Sequence, residues 1–321
     1  MTAYDIAAAF AVMAAAFIIG FAIRRGSICM VDATHQWIIH GKTLRIRAFI
    51  VAAAASGCLI LPLSWLLPAD DILAPSAPIS LSILAGGAIF GLGARINGGC
   101  AFGTLARVSG GQLDYTGSII GAGLGAISIS AMIRPSDTAA PLFADVWPVG
   151  AIAAVICAIL AYPAVQRRHL RNLVAVATKP ATLMRPFTAM LVIGALGGLL
   201  FALAGSWTHL SVIGHEGAFL SGSRAMGAGG KALLGAFALF SGAIFAAHRS
   251  GRFAWAAPNI SAWLRCLLGG GMMGSGATLI PGGNGALITH GVPSGSLSAW
   301  AAMIAIIAVL ALSFLPARPE T

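Results

Sequence analysis

Long apolar runs constrain this chain more than any motif in it. Nine of them fall near residues 4–23, 46–67, 77–96, 115–133, 146–166, 187–207, 229–248, 260–280 and 296–315. About 20 apolar residues cross the hydrocarbon core as a helix. In lipid, only helices and closed barrels satisfy every backbone N–H and C=O. Charged residues make up 9% of the 321 positions and hydrophobic ones 58%, against about 25% charged in a soluble domain. A chain so poor in charge cannot coat a water-facing surface. The expected fold is an all-α polytopic membrane protein of about nine transmembrane helices. The first run starts near Tyr4 behind Asp5, with no basic leader, so it is read as a retained helix and not a secretory signal.

The connecting segments alternate in charge. Basic ones follow the odd-numbered runs: Arg24, Arg25, Lys42, Arg45 and Arg47 after the first, Arg107 near Arg95 after the third, Arg167, Arg168, Arg171, Lys179 and Arg185 after the fifth, and Arg249 and Arg252 after the seventh. Asp70 and Asp71 follow the second, and Arg134 with Asp137 and Asp145 the fourth. This pattern expects a multi-pass protein of a bacterial inner membrane, with the N-terminus outside and the C-terminus cytoplasmic. It also accounts for the net charge of +10 without nucleic acid as a partner.

Glycines recur four apart inside the runs, as at Gly87 and Gly91, Gly117, Gly121 and Gly125, Gly194 and Gly198, and Gly270 and Gly274. Such spacing lets helix backbones approach closely in lipid. Two longer stretches resemble each other: GLGARINGGCAFGTL from Gly91 and GSGATLIPGGNGALI from Gly274, with one residue inserted around Pro281. Ser56-Gly57 and Ser241-Gly242 extend the match. Runs one to four thus correspond to runs six to nine, with run five between them. The offset inverts the second copy, a common transporter plan with pseudo-two-fold symmetry. The expected organisation is one membrane domain: a first repeat over 1–135, a connector helix and cytoplasmic loop over 136–185, and a second repeat over 186–321.

The segments after runs one, three, six and eight are too long for tight turns and are partly apolar. They are expected to be short re-entrant helices, broken from the preceding run at Gly98-Gly99 and Gly282-Gly283. Irregular backbone at that depth belongs where it lines a cavity, and amides opening each following helix favour an anion. Of five cysteines, Cys58, Cys157 and Cys266 sit in apolar runs, as small hydrophobes do. Cys29 and Cys100 sit at breaks, where a thiol meets solute. No Cys-x-x-Cys pair is present, so no zinc or redox motif is expected.

The run Arg24 to Cys29, with its Arg-x-Gly-x-x-Cys spacing, resembles the YeeE/YedE sulfur-transport family. So do the Gly-x-Gly-Ala-Arg-x-x-Gly-Gly-Cys run ending at Cys100 and the run Leu279 to Asn284. The resemblance covers most of the chain. It implies a permease for a small sulfur-containing anion, with thiosulfate the best-known substrate, and cysteines near the constriction that pass it along by S–H contacts. Cys29 and Cys100 match two of those positions. A cytoplasmic sulfur-carrier protein is an expected partner, and no cofactor is. Where the family's thiosulfate importer carries a further cysteine, this chain has Asn284, whose amide donates and accepts hydrogen bonds but exchanges no thiol.

The expected substrate path is therefore Cys29, Cys100, Asn284, Gly98, Gly99, Gly282 and Gly283. Arg95, Arg25, Ser27, His215 and Lys231 form a second tier. His35, His40, His209 and His215 are expected at the interface, with His215-Glu216 a candidate proton site. Two other classes compete with a permease. A thiol-dependent membrane enzyme needs a base and an orienting group beside the cysteine, and only His35 and Asp32 lie near Cys29 in sequence. A scaffold would carry a soluble domain, and only Pro316 to Thr321 follow the last run.

Overall fold

The computed structural model describes residues 3–67, 72–130, 138–205, 208–220, 222, 229–280 and 282–317. Asp70, Asp71, Arg134, Asp137 and Pro281 lie outside them. The described residues are helical, joined by turns and two isolated β-bridges. Long helices are α1 (Ala3–Gly26), α3 (Leu44–Leu66), α4 (Leu81–Asn97), α6 (Thr116–Ser130), α7 (Ala151–Val165), α9 (Pro186–Ala204), α11 (Gly230–Arg249), α12 (Ile260–Leu279) and α14 (Leu297–Phe314). Short ones are α2 (Met30–His40), α5 (Ala101–Val108), α8 (Arg167–Thr178), α10 (His209–Leu220) and α13 (Asn284–Ala286), the last continued by a π-turn over Leu287–Gly291.

Seven helical segments are long and apolar enough to cross a membrane, those containing α1, α3, α4, α7, α9, α11 and α14. Large side chains such as Phe10, Ile159, Phe237 and Leu268 point outward, which suits lipid and not water. The other two expected runs hold α6 and α12, which are not among these seven segments. Residues 131–137 beyond α6 lie outside the described residues. α12 carries Arg265 and six small residues between Gly269 and Gly276, and it is wrapped by α4 and α6. Its glycine face meets the backbone of these helices, while Leu264 and Leu268 point outward.

Glycine sets these contacts. A Cβ on Gly121 would lie 2.0 Å from the Leu267 carbonyl oxygen, one on Gly274 2.0 Å from that of Ala122, and one on Gly194 2.1 Å from that of Ala52. α4 and α12 run antiparallel. Gly93 abuts the Gly269 carbonyl, and Gly276 abuts that of Gly86.

Each end of the bundle is closed by paired loops. At one end the Ala254 and Ala256 amides donate to Gly110 and Gly111 (3.1 and 3.0 Å). At the other, the Ala74 amide donates to Ser294 Oγ (2.9 Å) and the Leu297 amide to Ser76 Oγ (3.0 Å). The first end is basic. Arg24 donates to the Arg252 carbonyl (2.8 Å), Arg25 to those of Lys179, Pro180 and Thr182, and Arg249 to that of Ala177.

α8 lies against this basic end. His169 is buried there, stacked on Phe187 at 5.6 Å, with Nδ1 3.2 Å from Thr188 Oγ1. Burial, helped by Arg168 and Arg185, lowers its pKa below the ordinary 6.5. The folded state therefore resists the proton that the unfolded state accepts. The stabilisation is present above about pH 6.5 and is lost as pH falls through the folded value. Proteolysis within 167–185 is expected to quicken between pH 7 and pH 5, and His169→Gln is expected to remove that dependence.

Candidate functional site

Two short helices open on cysteines that meet. Gly26 ends α1, and Ser27, the one non-glycine with positive φ (+49°) among the described residues, turns the chain into Cys29, the N-cap of α2. Gly98, at φ +74°, ends α4, and Cys100 is the N-cap of α5. A β-carbon at Gly98 would strain this left-handed turn. The Met30 amide donates to Cys100 Sγ at 3.2 Å, which joins the opening of α2 to that of α5. Cys29 Sγ lies over Gly103, where a Cβ would come within 2.7 Å of it. Both cysteines are buried and free.

Neither thiol caps its own helix by a side-chain hydrogen bond. A serine or aspartate would occupy the first-turn amides; a thiol does so weakly. The opening of α5 therefore keeps donors available beside two soft sulfur atoms, an arrangement suited to an anion that carries sulfur.

Buried polar groups hold the Gly-Gly turn in place. Asn97, fully buried, donates from Nδ2 to the Gly99 carbonyl (2.7 Å) and to Thr104 Oγ1 (2.9 Å). Arg107 donates to the Gly98 carbonyl and lies over the Tyr115 ring at 4.8 Å. Asn97→Ala removes two buried hydrogen bonds and is expected to destabilise the protein by about 1–3 kcal/mol. The check is the melting temperature of purified protein, which should fall, with uptake lowered because Cys100 loses its setting.

The second half carries a related turn without thiols. Gly282 is at φ +87°, Gly283 is the N-cap and Asn284 the first residue of α13. Asn284 thus sits one residue further into its helix than Cys100 does. It is fully buried, and neither Oδ1 nor Nδ2 has a partner. Gly285 packs on the Phe102 ring and the Thr208 methyl, which joins α13 to α5 and to the start of α10. Between them lies a cavity of about 50 Å³, lined by Ala101, Phe102, Thr208, His209, Gly283 and Gly285 together with apolar side chains of α1, α9 and α11.

Among the second-tier residues, Arg25, Ser27, Arg95 and Lys231 do not line the cavity. Arg25 clamps the 179–182 loop. Arg95 stacks on Phe314 at 4.5 Å. Ser27 is exposed, and its carbonyl accepts from Arg45 (3.2 Å). Lys231 is half-buried at the start of α11, and the His215 side chain lies outside the described residues. His209, expected at the interface, is instead buried against the cavity. Nothing local in the sequence flags His209, Gly103 or Arg107, because each acts through a partner distant along the chain or on the far side of a turn. Among the described residues, no cluster of three His, Cys, Asp or Glu side chains is arranged to hold a metal ion.

A family model for sulphur transport matches residues 25–312, a span that includes both thiols, both Gly-Gly turns and every residue lining the central cavity except Ile19. The chain belongs to the sulphur transport family. No curated protein matches it significantly. Membership and the apolar helices together make this a multi-pass membrane protein of a sulfur-transporting family.

Proposed function

We propose that the protein is a permease of the bacterial inner membrane for a small, thiosulfate-like sulfur anion, which passes the Cys29–Cys100 pair. The observation that carries this reading is the pair itself: two free thiols at the openings of α2 and α5, joined through the Met30 amide. Soft sulfur contacts beside unspent amides favour a polarisable anion over a hard one.

The same reading takes α6 and α12 as the fourth and eighth of nine spans, and α2, α5, α10 and α13 as re-entrant helices. The inverted repeat is supported by the reciprocal glycine contacts of α4 with α12. Exchanging Gly93 with Gly276 and Gly86 with Gly269 turns one contact into the other. It is supported too by the closing loops, since the 109–115 and 252–259 pair has a counterpart in the 292–298 and 72–77 pair. The basic end then faces the cytoplasm, with the N-terminus outside, and offers its arginines to a sulfur-carrier partner.

The test is competition uptake in cells lacking their own importers. Thiosulfate and sulfite should compete for entry better than sulfate. Asn284→Cys, which adds a thiol to the second turn, should shift preference toward thiosulfate by roughly threefold or more, about 0.7 kcal/mol. Equal competition by sulfate, in wild type and variant alike, would remove the thiols from the account of selectivity.

A further inference from the structure

The central cavity holds polar groups that the thiol pair does not use. His209 is 6% exposed and its Nε2 has no partner. The ring is held in place by the edge of Phe240, with centroids 6.1 Å apart and planes at 89°. Thr208 shares the same wall. Asn284, with both amide atoms unpartnered, falls between Gly283 and Gly285, which line the cavity too. Most other lining groups are hydrocarbon, such as Ile193, Leu200 and Leu239. Buried polar atoms nearly always find partners, and an orphan calls for a specific explanation. Here one imidazole nitrogen is orphaned on a residue of the cavity wall, and one carboxamide is orphaned on a residue between two glycines of that wall.

From this we infer that Thr208, His209 and Asn284 form a second, thiol-free seat in the path, which holds the solute by its oxygen atoms. The inference rests on the permease reading and narrows its substrate class. N–H and O–H groups are hard donors that bind oxygen, whereas the thiol pair suits sulfur. The cavity has room for a few water-sized groups, which admits a small oxyanion and excludes a bulky organic one. The two seats adjoin, because Ala101 and Phe102 wall the cavity directly after Cys100. The solute class is therefore sulfur oxyanions, thiosulfate and sulfite among them. Sulfide, which has no oxygen, satisfies only the thiol pair.

The experiment compares His209→Leu and His209→Gln with wild type, both in uptake of labelled thiosulfate and sulfite and in the melting temperature of purified protein with and without millimolar thiosulfate. His209→Leu should lose tenfold or more in uptake of both anions and lose the thiosulfate-induced rise in melting temperature. His209→Gln, which keeps an N–H donor, should stay within about threefold of wild type. Wild-type uptake by His209→Leu, or a glutamine variant as poor as the leucine one while equally well folded, would overturn the seat and leave the permease standing. If wild type carries no sulfur anion yet melts higher with thiosulfate in a His209-dependent way, the permease reading fails and the seat stands.

Discussion

Uptake of labelled thiosulfate should fall by tenfold or more, about 1.4 kcal/mol or more in transport barrier, when Cys29 and Cys100 are both replaced by serine. Serine nearly keeps the size and keeps a hydrogen-bonding group, so the change isolates softness. Cys100 Sγ accepts from Met30 at 3.2 Å, and a hydroxyl can take that bond, so the junction of α2 and α5 should survive. What is lost is a polarisable surface against a sulfur-bearing solute. The single Cys100→Ser variant should show most of the effect. Cys58→Ser, in the middle of α3 and away from either break, should transport like wild type. Normal uptake by the double variant would end the thiol path, though a route lined only by amides would survive it.

The second large effect concerns the seam of α1 and α11. A Cβ on Gly242 would sit 1.9 Å from the Phe17 carbonyl oxygen, and one on Gly20 1.9 Å from that of Leu239. These obstacles are backbone, which cannot rotate away as a side chain can. Gly242→Val is therefore expected to push the helices apart and cost at least about 2 kcal/mol. The readouts are yield of inserted protein and melting temperature, and both should drop. Gly229→Ala, with open space around its Cβ position, serves as the contrast and should change little. An undisturbed Gly242→Val protein would mean that these two helices do not meet at the distance described.

Much of this architecture is legible in the chain because lipid leaves a membrane protein few choices. Apolar runs must be helices, and glycines four apart mark where helices touch. Among the described residues each apolar run contains a long helix, and seven of these lie in segments long and apolar enough to cross a membrane; α12 is not among the seven, and its glycines trade apolarity for closeness. Cys29 and Cys100 are visible because each follows a glycine break. His209 is not visible, since its burial is made by Ala101, Phe240 and the cavity wall, residues remote along the chain and brought near only by the fold. Arg95 also acquires a contact that the sequence does not show. It ends an apolar run as a cation, and Phe314 at the far end of the sequence stacks against it. Asn97 is the informative middle case. It sits inside the recognisable Gly-Ala-Arg-Ile-Asn-Gly-Gly-Cys run, and its role appears only once the turn brings Gly99 and Thr104 within reach of one amide.

The most direct measurement is uptake of sulfur-labelled thiosulfate by liposomes that contain only the purified protein. The account predicts accumulation above protein-free liposomes, with sulfite competing and with the signal lost in the Cys29→Ser, Cys100→Ser variant. Liposomes holding folded protein that take up neither thiosulfate nor sulfite faster than protein-free ones would contradict it.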